Sequence, residues 1–221
     1  MPRVPRHCIV TQEGWPFIGL GLPLLAAGWW LQIPWLLWSG GIWAVACALF
    51  FRNPSRKIPT TPGAVVAPAD GKVIAIESVE EPYFGRGAMQ RISIFLSVAD
   101  VHINRTPIDG VIGGVKYTPG RFLVAYAPKA STDNERNAIW VCNADRQHEV
   151  VMVQIAGLVA RRIVCYLREG EQVARGMRCG LIRFGSRVDL YLPLDCAITV
   201  QVGDRVQGGA SVMARFAVEG K

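Results

Sequence analysis

No acidic or basic residue occurs between Phe17 and Phe51, and six of the seven tryptophans (Trp15, Trp29, Trp30, Trp35, Trp38, Trp43) lie in or beside that run. A helix at the surface of a soluble protein carries a charged face, so this absence excludes an ordinary amphipathic segment. What remains is the composition of a membrane-inserted stretch with interfacial tryptophans. Pro34 divides the run into Phe17–Leu31 and Trp35–Phe51. As helices rising about 1.5 Å per residue these would be roughly 22 and 26 Å long, both short of a hydrocarbon core of about 30 Å. The expectation is a helical hairpin within residues 1–57 that dips into the bilayer or barely crosses it. Arg3 and Arg6 before it, with Arg52, Arg56 and Lys57 after it, put both ends and the domain 58–221 on the cytoplasmic side of the cell membrane. A cleaved signal peptide is the rival, but the run is too long, no small-residue cleavage site follows, and a basic stretch ends it. A buried helical pair in a soluble core is the other alternative.

Metal-site spacing is also missing. The six cysteines (Cys8, Cys47, Cys142, Cys165, Cys179, Cys196) form no C-x-x-C pair and no grouping with His7, His102 or His148, which argues against zinc and for reduced, buried thiols. The net charge of +7 calls for an anionic partner. No basic run is interleaved with aromatics and no helical reading module is present, so nucleic acid is excluded in favour of an anionic membrane surface. Beyond residue 60 no amphipathic helix exceeds two turns. Arg91–Leu96, Ala138–Val141, Glu149–Ile155, Arg187–Leu192 and Ala197–Val202 read as strands, so the fold class is mainly β (α+β), with an antiparallel body and helices near the N-terminus.

A weak repeat, Gly170-Glu-Gln-Val-Ala-Arg-Gly176 and Gly203-Asp-Arg-Val-Gln-Gly-Gly209, resembles the turns of biotinyl and lipoyl carrier domains and points to a barrel-sandwich-hybrid-like body. A membrane-anchored β-sandwich carrier or adaptor is therefore one functional alternative. It would present a lysine at a hairpin tip, and Lys72 after Asp70-Gly71 is the candidate, although Asp-Gly is a common turn pair without any such role.

Four segments, each weak alone, acquire meaning in combination. They are Ala67-Pro-Ala-Asp70-Gly-Lys-Val73, Phe95-Leu-Ser-Val-Ala-Asp100-Val-His102-Ile-Asn104-Arg105-Thr-Pro107, Asn134-Glu-Arg-Asn137 and Ile182-Arg-Phe-Gly185-Ser186-Arg-Val-Asp-Leu190. In this order, after a hydrophobic segment ending Phe50-Phe-Arg-Asn-Pro54, the chain from about residue 50 onward closely resembles the short bacterial form of phosphatidylserine decarboxylase.

The chemistry gives that resemblance a physical basis. Loss of CO2 from an amino acid leaves a carbanion, which needs an electron sink. A pyridoxal phosphate enzyme would present a lysine within a phosphate cradle, and no such site is evident. The resemblance implies the other sink, a pyruvoyl group made from Ser186 after autocatalytic cleavage at Gly185-Ser186. Glycine leaves the attacked carbonyl unshielded and tolerates strain. Residues 1–185 and 186–221 would become two subunits of a heterodimer, and homo-oligomerisation is left open. Ser186 would be first nucleophile and then the pyruvoyl group that forms a Schiff base with the substrate amine. His102 would be base and later acid, with Asp70 orienting it; Asp100 or Asp109 are alternative orienters.

Longer members carry two histidines three residues apart in this stretch, and the later one aligns with Arg105 here. Tyr117 and Phe122 are candidate substrate-pocket walls, and Arg161 and Arg162 candidate contacts for a lipid phosphate. The implied product is phosphatidylethanolamine, made from phosphatidylserine in phospholipid biosynthesis without a metal. A serine hydrolase using Asp70, His102 and Ser186 is the remaining alternative, though G-x-S-x-G is absent and Ser186 precedes a strand instead of opening a helix.

Overall fold

A computed structural model describes residues 9–123, 133–143, 147–158, 162–183 and 185–217, and the chain divides into two compact units between Ser55 and Arg56. In the first unit a short turn of 3-10 helix (Gln12–Gly14) leads into α1 (Trp15–Gly19), α2 (Leu22–Trp30) and α3 (Pro34–Phe50). The expected single helix over Phe17–Leu31 is thus two. Pro23 lies in the first turn of α2. There its missing N–H costs nothing, whereas inside one longer helix its ring would clash with the carbonyl of Gly19. Close contact between α2 and α3 depends on small residues: a Cβ on Gly28 would lie 2.6 Å from the Leu37 nitrogen. Trp29, Trp30, Trp35 and Trp38 remain exposed. Among the described residues no helix is long and apolar enough to cross a membrane. α3, with 17 residues, extends about 26 Å.

The second unit is antiparallel β throughout its paired strands, as the mainly β expectation holds. In chain order the strands are β1 (Ala64–Val66), β2 (Gly71–Glu80), β3 (Ala88–Leu96), β4 (Ile103–Arg105), β5 (Gly110–Thr118), β6 (Arg136–Cys142) and β7 (Glu149–Ala156). They continue as β8 (Ile163–Cys165), β9 (Gln172–Val173), β10 (Arg178–Ile182), β11 (Ser186–Leu192), β12 (Ala197–Ile198), β13 (Arg205–Val206) and β14 (Val212–Arg215). Eight form one sheet in the order β13-β2-β3-β11-β7-β6-β5-β9, and two three-stranded sheets, β4-β10-β8 and β1-β14-β12, complete the unit. The expected strand Ala197–Val202 is reduced to Ala197–Ile198. The two glycine-rich repeats meet, with an ideal Cβ on Gly209 only 3.5 Å from the Gly176 Cα.

β11 lies between β3 and β7, and its alternation separates two environments. Val188, Leu190 and Leu192 enter the main core with Ile92, Ile94 and Met152, whereas Tyr191 joins Met89, Trp140 and Val151 on the other face. Arg187 and Asp189 share that second face and are buried as a two-pronged ion pair, Nε to Oδ1 at 2.6 Å and Nη2 to Oδ2 at 3.1 Å. Arg187 also donates to Ser93 Oγ at 2.7 Å.

Candidate active site

Ser186 begins β11, directly opposite Leu96 at the end of β3 and Ala156 at the end of β7. The chain leaves Leu96, turns over Ser97–Asp100 and returns within a few residues as His102, so the same strand end that pairs with Ser186 delivers the histidine. The turn is held by Asp100, whose Oδ2 accepts from the Ser97 N–H at 2.9 Å and the Ser97 hydroxyl at 2.6 Å, while Oδ1 accepts from Arg205 at 3.0 Å. Burial raises the Asp100 carboxyl, but the Ser97 bonds and Arg205 outweigh it and hold the group below its ordinary range.

His102 is buried. Its Nδ1 lies 3.0 Å from the Asp100 carbonyl, and its Nε2 lies 3.3 Å from the Gly185 amide nitrogen, which donates to it. A carbonyl only accepts and an amide N–H only donates, so the two contacts select one neutral tautomer, with the proton on Nδ1 and the lone pair on Nε2. That lone pair is aimed one residue from the Ser186 hydroxyl. Ser186 itself is wholly buried, and its Oγ has no hydrogen-bond partner among the described residues. Leaving a buried hydroxyl unpaired costs about 1–3 kcal/mol, a deficit that a purely structural serine has no reason to carry. Gly185 has φ +66°, in the left-handed region, and among the described residues, its chain neighbours aside, no atom lies within 4 Å of where a Cβ would be. The carbonyl before Ser186 is therefore sterically open on a backbone that favours glycine.

Asp70 has other company than the expected histidine. Its Oδ2 binds Arg56 at 2.6 Å and its Oδ1 accepts the Gly208 N–H at 2.8 Å. Burial raises its carboxyl more than Gly208 and Arg56 lower it. Arg105, at the position of the longer members' second histidine, is lowered by burial and by the charges of Arg56 and Arg178, with Asp70 opposing. The carboxylate is thus gathered with position 105, and His102 Nδ1 has a contact with the Asp100 carbonyl. Asp109 turns to Arg175, whose backbone N–H it accepts at 2.9 Å.

The substrate-side candidates are spread out. Tyr117 is exposed on β5 in the row Tyr117–Asn137–Gln154–Val188, three strands and about 14 Å from β11. Phe122 is exposed beside Leu123, whose N–H and carbonyl are both held by the Asn134 side chain. The same Asn134 amide donates to the Ala156 carbonyl at 2.7 Å, opposite Ser186. Arg162 is exposed, and its carbonyl accepts from the Arg183 N–H at 3.3 Å, two residues before Gly185. Arg161 lies outside the described residues. Asn134 and Asn137 belong to a motif noticed in the sequence, but their roles, and that of Asp100 through its carbonyl, follow from pairing across strands that spacing does not reveal.

The sequence profile described as phosphatidylserine decarboxylase matches residues 43–214. The chain is 48% identical over 217 residues to the phosphatidylserine decarboxylase proenzyme of Nitrosomonas europaea, covering 95% of this chain and 96% of that protein. It is 45% identical over 218 residues to that of Cupriavidus taiwanensis, covering 96% and 98%. The Burkholderia lata proenzyme is 46% identical over 213 residues, covering 95% and 97%. With a family profile matching residues 43–214 and relatives 45–48% identical over nearly its whole length, the chain belongs to the phosphatidylserine decarboxylase family and is a decarboxylase.

Proposed function

We propose that this chain is a proenzyme that cuts itself between Gly185 and Ser186 and then converts phosphatidylserine to phosphatidylethanolamine at a membrane surface. The observation that carries the reading is the unpartnered, buried Ser186 Oγ next to a glycine whose N–H meets His102 Nε2 at 3.3 Å. His102, neutral and with its lone pair at Nε2, takes the Ser186 proton as Oγ attacks the Gly185 carbonyl carbon. The acyl group passes from nitrogen to oxygen, and β-elimination releases the Gly185 carboxylate and leaves dehydroalanine. Water then replaces its nitrogen, which departs as ammonia, and residue 186 ends as a pyruvoyl group.

The residues fit that group: Gly185 can leave without disturbing a packed side chain, and β11 stays paired to β3 and β7 on both sides when its N-terminal bond is gone. The two products thus remain one heterodimer. A pyruvoyl group there supplies the electron sink that lets a substrate carboxylate leave as CO2. His102, with the proton it can hold at Nε2, would protonate Cα afterwards. Asp70 serves as counter-charge to Arg56 and Arg105, and Asp100 holds the histidine through its carbonyl.

Arg162, beside Arg183, and Arg161 are assigned to the lipid phosphate, with Phe122 and Tyr117 to the lipid farther from the reacting atoms. The exposed tryptophans of the helical unit and the net charge of +7 support attachment to anionic lipid from the cytoplasmic side. Helices this short suit insertion into one leaflet better than crossing. The test is intact mass spectrometry of the wild type and of Ser186→Ala, together with release of CO2 from phosphatidylserine vesicles. A fragment beginning at residue 186 with a carbonyl-terminated, borohydride-sensitive N-terminus, seen only in the wild type, is the expected result. An active but uncut wild-type chain would overturn the reading and favour a hydrolase.

A further inference from the structure

Asn137, Gln154 and Asn104, all buried, form a hydrogen-bond chain that runs in one direction. Asn137 Nδ2 donates to Gln154 Oε1 at 3.0 Å, and Gln154 Nε2 donates to Asn104 Oδ1 at 2.8 Å. Gln154 fixes the direction, because its Nε2 also lies 3.4 Å from the Val164 carbonyl, which can only accept. Asn104 therefore has its oxygen occupied and its NH2 left over. That Nδ2 has no partner among the described residues, although Asn104 is wholly buried.

The strand pairing ties this spare donor to the neighbourhood of the site. Gln154 is two residues from Ala156 on one face of β7, and Ala156 is the cross-strand partner of Ser186, so the amide that holds Asn104 shares a face with Ser186, about 7 Å along the strands. His102, two residues before Asn104 in the same extended stretch, reaches the Gly185 N–H from there. β10 passes close by: Gly180 pairs with Asn104, and a Cβ on Gly180 would lie 3.0 Å from Gln154 Nε2. Ser186 Oγ and Asn104 Nδ2 are thus two unpartnered buried polar atoms in one neighbourhood, a nucleophile and a donor.

We propose that Asn104 Nδ2 is the donor that stabilises the oxyanion of self-cleavage. The inference rests on the cleavage reading above. As Ser186 Oγ bonds to the Gly185 carbonyl carbon, the carbonyl π electrons move onto its oxygen, which then accepts from Asn104. When the tetrahedral carbon collapses, those electrons re-form the carbonyl and the bond to the Ser186 nitrogen breaks. That nitrogen receives the proton His102 took from Oγ, so no outside reactant is needed. Charge that appears only in the transition state is stabilised most by a donor already fixed in place, and Gln154 fixes this one.

The test is a time course of cleavage during cell-free synthesis for the wild type, Asn104→Leu and Asn104→Ala, with and without hydroxylamine. Thermal melts of the same substitutions in the uncut Ser186→Ala background report folding separately from chemistry. Both variants should fold and be cut roughly 10²–10³-fold more slowly than the wild type despite their different volumes. Hydroxylamine, which cleaves an ester, should not restore them, because the ester has not formed. Cleavage at the wild-type rate overturns the proposal. So does cleavage restored by hydroxylamine, which would place the defect after the acyl shift, and so does loss of folding in both variants, which would make Asn104 structural. An uncut wild type fails the cleavage reading itself, a result distinct from these.

Discussion

Replacing Asp100 with alanine tests whether a turn, and not a catalytic carboxylate, holds the histidine. The substitution removes two hydrogen bonds from Ser97 to a charged acceptor in a half-buried setting, together with the Arg205 ion pair. Because the Arg205 side chain is 70% exposed, its pair contributes little after screening by solvent. The Ser97 bonds dominate, and the expected loss is about 2–3 kcal/mol of folding stability. The same carboxyl sits below its ordinary range in the folded chain, so the unfolded chain binds more protons in acid. The stability that it contributes is therefore complete above about pH 4 and is lost as the pH falls through the folded value. Denaturant melts of Ser186→Ala between pH 3 and 7 should show that loss, and addition of Asp100→Ala should remove it. Freed from its turn, the Asp100 carbonyl no longer fixes the proton on His102 Nδ1, and cleavage should slow by about tenfold, or about 1.4 kcal/mol of barrier. Asp100→Ala that loses stability as calculated yet cuts itself at the wild-type rate would refute the assignment.

Two further outcomes follow from the buried charges. Asp189→Ala should destabilise the chain by roughly 3–5 kcal/mol in denaturant titrations, because Arg187 is left buried without its carboxylate. Arg187→Met with Asp189→Leu should recover most of that loss; a double variant no better than the single would contradict it. Asp70→Asn should cost up to about 3 kcal/mol, since it removes the carboxylate paired with Arg56 and acting on Arg105. It should nonetheless slow cleavage far less than His102→Ala, whose loss of a general base is worth about 10²–10⁴-fold. Equal cleavage defects in the two variants would return Asp70 to His102.

Where a local pattern had one physical reading, the sequence sufficed. The charge-free, tryptophan-rich run gave helices, and the β-branched segments at Arg91–Leu96, Glu149–Ile155 and Arg187–Leu192 became the three central strands β3, β7 and β11. Two long strands escaped notice because their composition argues against them. β5 contains Gly113 and Gly114, poor strand residues in isolation, and Gly113 is needed because a Cβ there would lie 2.4 Å from the Trp140 ring. β2 carries charged residues among its apolar ones, which break a clear alternation.

By itself, then, the sequence determined the mainly β class and the helical N-terminal segment, and it singled out Ser186 and His102 as candidates, because helical and strand periodicity, turn chemistry and a motif are local properties of a chain. Only the tertiary structure decided that Asp70 faces Arg56, that the Asp100 carbonyl selects the histidine tautomer, and that Asn104 keeps a donor to spare. Those three depend on which segments meet through strand pairing and in what register, which local sequence does not specify.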